Sequence, residues 1–395
     1  MSPLPAKRVL IFSTAYLPLV GGAEFAVKEI TDRLGGEFEF VMLTARLDAK
    51  LPEIERIGNI EVHRIGEDNH WDKYRLVKVG WQEARKLGRF DLVWAIMASY
   101  GGFAALRYKK RNPAVPFLLT LQEGDSRWQI YKHVWWCWPY FKQIFQRADR
   151  IQAISNYLAA WARQLGAKCP VEVVPNGVDI ERFNCHSDRP RLSRGSGGIL
   201  LAKLRDSSTT VASAPFARND VSLVITASRL VKKNGVADLI KAMQFLPPSV
   251  HLLIAGSGPL EGKLKSLAKQ LHLAERVHFL GSLSHDELPK YLWDSDVFCR
   301  PSRSEGLGSA FLEAMAAGLP VVATPVGGIP DFLQDGETGL FCQVGDPKDI
   351  AEKIKKIFDD KLLAERLREN SRKLIAEKYI WQGIARDMQV IFSQL

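Results

Sequence analysis

The sequence predicts an α/β protein of two doubly wound parallel sheets facing across a cleft. Three observations predict this. Short, nearly all-apolar runs alternate with helix-period segments, as parallel strands covered on both faces require. The alternation stops near Phe183 and restarts near Val221, so there are two similar halves, each about domain size. Glycine turns directly follow strands in both halves, at the carboxyl ends where open parallel sheets hold their ligands.

The elements read in order. In the first half "RVLIFSTA", "FEFVMLTA", "IEVHRIG", "DLVWAIM", "PFLLTLQ", "RIQAIS" and "VEVVP" are strands. Lys7-Arg8 before the run Val9 to Val20 imitate a secretory leader. The run is too short to span a bilayer, Pro18 interrupts it, and Phe25, Val27, Ile30 and Leu34 follow at helical spacing. It therefore reads as a first buried strand, a glycine loop and a helix. Residues 187–219, rich in Ser, Arg, Gly and Thr, read as a linker or flexible insertion. The second half has strands in "VSLVITASRL", "VHLLIAG", "RVHFLG", "DVFCRPS", "PVVAT" and "GLFCQ". Helix follows over 347–378, broken near Asp359-Asp360, and a last amphipathic stretch ends the chain. The expected domains are 1–186, 220–378 and a terminal helix, 379–395, packing back on the first.

Composition narrows the function. The 395 residues are 46% apolar, enough for real cores. The net charge of +10 is patchy: residues 101–150 carry nine Lys/Arg against three Asp/Glu, while 301–350 carry two against seven. Such patches suit anionic ligands or a membrane surface. No nucleic-acid module is visible, so nucleic acid is not an expected partner. The five cysteines are odd in number and scattered, which fits a reducing compartment and argues against a metal knuckle. No cofactor and no metal are expected.

The stretch "SRSEGLGSAFLEAMAAGLP" (302–320) holds Glu305 and Glu313 on either side of a Gly-Leu-Gly turn. Gly306, Leu307 and Gly308 open a helix whose free amides attract an anion such as a diphosphate. They also separate the acids: Glu305 lies in the loop, and Glu313 one turn into the helix, where a carboxylate can accept from a vicinal diol. In "SRLVKKNG" (228–235), Arg229, Lys232 and Lys233 converge at a strand end, a set suited to a diphosphate leaving group. "GSGPLEG" (256–262) misses the dinucleotide fingerprint because its third glycine comes one residue late. Asp296 reads as a turn residue, not a metal ligand. The segment 128–150 interleaves Trp128, Tyr131, Trp135, Trp136, Trp138, Tyr140, Phe141 and Phe145 with Lys132, Lys142, Arg147 and Arg150. It suits either a buried helix or contact with a membrane surface or a lipid-linked acceptor.

Taken together and in order, "PLVGGAE", "AISNYL", "NGVDIERF", "SRLVKKNGVADLIKAM", "IAGSGP", "VHFLGSLSHDELPKYL" and the run from Asp296 to Phe341 resemble the retaining, nucleotide-sugar-dependent glycosyltransferases of family 4 ("group 1") with the GT-B fold of two Rossmann-like domains. The resemblance covers nearly the whole chain outside 187–219. It implies sugar transfer from a nucleoside-diphosphate sugar to a glycan or lipid-linked acceptor, with retention of anomeric configuration and no metal. It implies that Arg229 and Lys233 hold the diphosphate, Glu313 the ribose, and Glu305 with Gly306, Leu307 and Gly308 the donor sugar. Glu305, Arg229 and Lys233 are then the expected catalytic set. Gly21, Gly22, Gln122 and Glu123 line the acceptor side, with Asp125 nearby. The unpaired cysteines and the 128–150 aromatic and basic segment set the expected location: cytoplasmic, peripheral on the cytoplasmic membrane face. Two positions depart from the family pattern. Asn234 stands where a lysine is common, with Lys233 one residue early, and Gln122 stands where a histidine often faces the sugar. These departures leave room for a non-catalytic sugar-nucleotide-binding subunit as the alternative.

Overall fold

The computed structural model describes residues 6–19, 21–69, 71–183 and 221–395. The predicted linker at 187–219 lies outside the described residues. The chain forms two compact units: Met1–Gly177 with Ser304–Ser309 and Lys378–Leu395, and Val178–Arg303 with Ala310–Glu377.

The first unit holds β1 (Lys7–Phe12), α1 (Gly22–Leu34), β2 (Phe38–Ala45), β3 (Ile54–Ile57), β4 (Ile60–Ile65), α2 (Asp72–Lys86), β5 (Leu92–Ile96), α3 (Tyr100–Arg111), β6 (Phe117–Leu121), α4 (Arg127–Val134), α5 (Trp138–Arg147), β7 (Arg150–Ala153), α6 (Asn156–Gln164) and β8 (Val171–Val173). The sheet order is β3-β4-β2-β1-β5-β6-β7-β8, and every pair is parallel except β3 with β4. Order reverses between β1 and β5, so the loops after those two strands mark the switch point at which such sheets bind ligands. β3 was not predicted. Its four residues, Ile-Glu-Arg-Ile, pair only at the sheet edge, and Ile54 is 61% exposed, so no apolar run betrays it.

The second unit holds α7 (Ile180–Phe183), β9 (Ser222–Ala227), α8 (Val236–Ala242), β10 (Val250–Ala255), α9 (Glu261–Gln270), β11 (Val277–Gly281), α10 (Leu288–Asp294), β12 (Val297–Arg300), α11 (Ser309–Ala316), β13 (Val321–Ala323), β14 (Leu340–Phe341), α12 (Pro347–Asp359) and α13 (Lys361–Lys378), the helices α11 and α13 each having an end residue counted with the first unit. Its sheet is wholly parallel in the order β11-β10-β9-β12-β13-β14, with the switch between β9 and β12. The last helix, α14 (Trp381–Ser393), belongs to the first unit.

Each core follows from strand alternation. In the first unit Val9, Ile11, Phe40, Met42 and Trp94 point to one face and are covered by α1 and α14 through Val27, Ile30, Trp381, Met388 and Phe392. Gly177 lies under Trp381, where an added Cβ would stand 2.8 Å from the indole. In the second unit Val224, Leu252 and Ile254 meet Leu239, Leu264, Ile350 and Leu367. On its opposite face Phe298 packs edge-on against Phe311 of α11, with ring centroids 5.4 Å apart.

Candidate functional site

The switch point of the second unit is built from two loops. After β9, Leu230 N donates to Ser257 O and the chain turns through Lys232–Asn234. Gly235 closes the turn at φ 68°, with Pro301 O 1.9 Å from where a Cβ would sit, so only glycine fits. The Asn234 amide donates to Arg229 O at 2.7 Å, and its side chain is buried. Asn234 therefore ties the turn instead of presenting a polar tip outward. Arg229 is exposed and Lys233 half-buried. The loop after β12 joins the first by Arg303 N, which donates to Lys233 O at 2.6 Å, while the Arg303 guanidinium pairs with Asp238 at 2.7 Å.

Glu313 is the fifth residue of α11 and Glu305 lies before that helix. Arg300 and Arg182 are the charged groups that act on Glu313, yet desolvation by the packed protein around it outweighs both and pushes its carboxyl up to about 7. Arg300 is 5% exposed, donates to Ala227 O at 3.2 Å and lies 4.2 Å over the Phe311 ring. A carboxylate poised near neutrality and flanked by guanidinium groups is a ready acceptor for paired hydroxyls. Neither arginine was singled out in the sequence. Arg182 lies in "NGVDIERF", more than a hundred residues from Glu313, and only folding brings them together.

The segment Ser304–Ser309 is counted with the first unit. Ser304 Oγ donates to Gly124 O at 3.1 Å, and Glu305 accepts from Gly306 N at 3.1 Å. Gly306 is glycine for an internal reason, since a Cβ there would stand 2.7 Å from Glu123 O. Gly308 sits at φ 93°, a left-handed conformation, and Leu307 is buried between them.

The first unit's switch point gathers the other predicted residues. Thr14 Oγ1, after β1, lies 3.0 Å from Ser99 Oγ, after β5. Gly21 caps α1 and Gly22 begins it. The Glu24 carboxyl accepts from the Gly21 and Glu24 amides, so α1 satisfies its own positive end. After β6, Gln122 Oε1 accepts from Asn176 Nδ2 at 3.1 Å. Glu123 is 9% exposed; one carboxyl oxygen accepts from Ala98 N at 2.6 Å and the other, Oε2, meets no partner among the described residues. Burial raises the Glu123 carboxyl to about 7 against the pull of the backbone amides.

The aromatic segment divides. Phe141 and Phe145 of α5 are buried against Trp161, and Ile144 is buried beside Gly102. Trp128, Tyr131, Trp135 and Trp136 are 41–66% exposed, with Lys132 5.1 Å over the Trp128 ring. Among the described residues no helix is long and apolar enough to cross a membrane.

Comparison with known proteins agrees with this geometry. Residues 210–374 match the family model described as glycosyl transferases group 1, and residues 20–182 match that of glycosyltransferase family 4. An uncharacterised glycosyltransferase of Methanocaldococcus jannaschii is 25% identical over 98% of both chains. A GDP-mannose-dependent α-(1-6)-phosphatidylinositol monomannoside mannosyltransferase of Mycobacterium tuberculosis is 29% identical over 64% of each. The crystal structure of Anabaena HepE in complex with UDP and glucose superposes with a TM-score of 0.78 at 20% identity, over 98% of this chain and all of that one.

Proposed function

Because the chain belongs to the group 1, family 4 glycosyltransferases of GT-B fold, we propose that it moves a sugar from a nucleoside-diphosphate sugar to a glycan or lipid-linked acceptor. The observation that carries this reading is the second unit's switch point. Exposed Arg229, the Lys233 turn and Glu313 all lie on the β9 and β12 connections, the place an open parallel sheet reserves for its ligand. In this reading Arg229 and Lys233 take the diphosphate, and Glu313 accepts from the ribose hydroxyls. Glu305 and the Gly306–Gly308 backbone address the sugar. Cationic contacts on the leaving diphosphate supply stabilisation where negative charge develops.

The reaction is proposed to retain anomeric configuration and to need no metal. Glu123, Gln122 and the Gly21-Gly22 loop serve the acceptor. The exposed rings of 128–136 with Lys132 rest on the cytoplasmic membrane face, in keeping with a relative named for a phosphatidylinositol mannoside acceptor. A thermal-shift panel of UDP-, GDP- and ADP-sugars, followed by NMR assignment of the product anomer with and without EDTA, tests each part. No shift with any donor sinks the donor site. An inverted product or EDTA-sensitive turnover refutes the finer chemistry.

A further inference from the structure

Three aromatic side chains outside the roles above stand on the same carboxyl rim of the first sheet. Trp71, immediately before α2, is 73% exposed, and Tyr74, one turn on, is 47% exposed. Their ring centroids are 5.6 Å apart. Tyr74 in turn meets Tyr100, the first residue of α3, edge-on at 5.2 Å and 80°. Burial, with the Tyr74 phenol beside it, pushes the Tyr100 hydroxyl up to about 12.

The loop that presents Trp71 is tied down. Asp72 is 1% exposed, and its Oδ2 accepts from the amides of Glu67, Asp68 and Asn69, each at 2.9 Å. Gly66 makes room for that carboxylate at φ 124°, and Asp68 is held left-handed at φ 80°. Asn69 Oδ1 accepts from Trp71 N at 2.8 Å. A buried carboxylate with three amide donors and an unfavourable backbone conformation thus fix a tryptophan in water. Such strain persists where the surrounding structure over-determines it and clusters at ligand contacts.

Position names the ligand. Tyr100 follows Ser99, which touches Thr14 across the switch point, and Ala98, which donates to Glu123. One residue, Ser99, separates Ala98 from Tyr100, so their Cα atoms are at most about 7 Å apart. The rings therefore continue the acceptor row outward. Charge argues against an anionic bilayer as occupant: the loop and helix start, "GEDNHWDKYR" (66–75), carry three acids and two bases. The C–H face of a pyranose packs on an indole with a negative π-face, and its hydroxyls find phenol partners at the edge.

We propose that Trp71, Tyr74 and Tyr100 form a shelf that stacks a sugar ring of the acceptor. The acceptor is then a saccharide that extends beyond the attacking hydroxyl, not a bare lipid alcohol. The inference rests on the transferase reading for the acceptor's position, but its test needs no donor.

Saturation-transfer NMR on the full chain, with methyl glycosides of glucose, galactose, mannose and N-acetylglucosamine, reads it directly. At least one glycoside should gain saturation on its ring C–H protons. Trp71→Ala should lower that signal at least fivefold, Trp71→Phe should keep more than half, and Trp128→Ala should leave it unchanged. A wild-type signal in Trp71→Ala overturns the shelf, as does the absence of signal from every glycoside. So does a Trp71→Ala chain that loses binding to phosphatidylglycerol vesicles while keeping its glycoside signal. A chain that stacks a glycoside yet shows no thermal shift with any nucleotide sugar supports the shelf and counts against the donor chemistry.

Discussion

The Asn234 side-chain amide donates to the Arg229 carbonyl at 2.7 Å, inside the turn that presents the cationic residues of the second unit. Asn234, one residue after Lys233, is thus a buried strut and not a ligand-facing group. Asn234→Ala should cost about 0.5–1.5 kcal/mol, the net worth of one hydrogen bond, because the Arg229 carbonyl still accepts from Val231 N at 2.9 Å, and should raise donor KM by loosening Arg229. Asn234→Lys should be no improvement, because an ammonium at a site 5% exposed must be desolvated or must unfold the turn. Chemical denaturation and donor titration check both; a lysine variant more active than wild type would refute the strut.

Glu313 carries the sharpest pH prediction. A carboxyl held at about 7 accepts from both hydroxyls of a diol, one on each oxygen, only when ionised. Donor affinity should therefore strengthen as pH rises from 6 to 8, by roughly tenfold, since about nine in ten of the free sites are protonated one unit below the pKa. Binding should release a proton near pH 7. Glu313→Gln should remove the pH dependence, and Glu313→Ala should weaken donor binding roughly 10–100-fold, the worth of a hydrogen bond to a charged group. Calorimetry in buffers of different ionisation enthalpy measures both quantities.

For Glu123 the linkage concerns stability. Its folded pKa is raised from 4.5 to about 7, so the stability it contributes is complete below about pH 4.5 and is lost as pH rises through 7. Glu123→Gln keeps an acceptor for Ala98 N but cannot ionise. It should melt higher than wild type at pH 8, by up to about 3 kcal/mol, and should equal it near pH 4.5. A difference that does not vary with pH would show that burial is not what shifts this group.

Two glycines of "GSGPLEG" should respond in opposite directions. Gly256 sits at φ 131° with Ser228 O 1.9 Å from a would-be Cβ, so Gly256→Ala should destabilise the second unit by more than about 3 kcal/mol. Gly262, inside α9 with nothing within 4 Å, should gain about 0.5–1 kcal/mol on replacement by alanine. Thermal unfolding of the two variants decides it.

Apolar strands made most of this fold readable. Runs such as "FEFVMLTA" and "VHLLIAG" are buried on both faces and carry their burial in composition. β3 escaped because an edge strand with an exposed face looks like a loop. At the candidate site, placement was legible where a motif is local: Arg229, Lys233 and Glu305 lie in or beside short, glycine-marked turns, and Glu313 in the helix that follows the Gly-Leu-Gly turn. What sequence spacing hides is which side chain turns inward. Asn234 and Lys233 are neighbours, yet one is buried and one reaches the surface. Arg300, Arg182 and Asn176 act on predicted residues from other elements, and no local pattern announces such a contact.

The placement of α14 bears on how the chain is made. The helix that covers Trp94 and Phe40 in the first unit follows the whole of the second unit along the chain. During translation the first unit emerges first but lacks one face of its core until residue 381 and beyond have appeared. The second unit lies almost wholly between its pieces in the chain and can close its own core earlier. Maturation should thus run out of order on the ribosome, with the leading half waiting, partly uncovered and dependent on chaperones, for α14 to arrive.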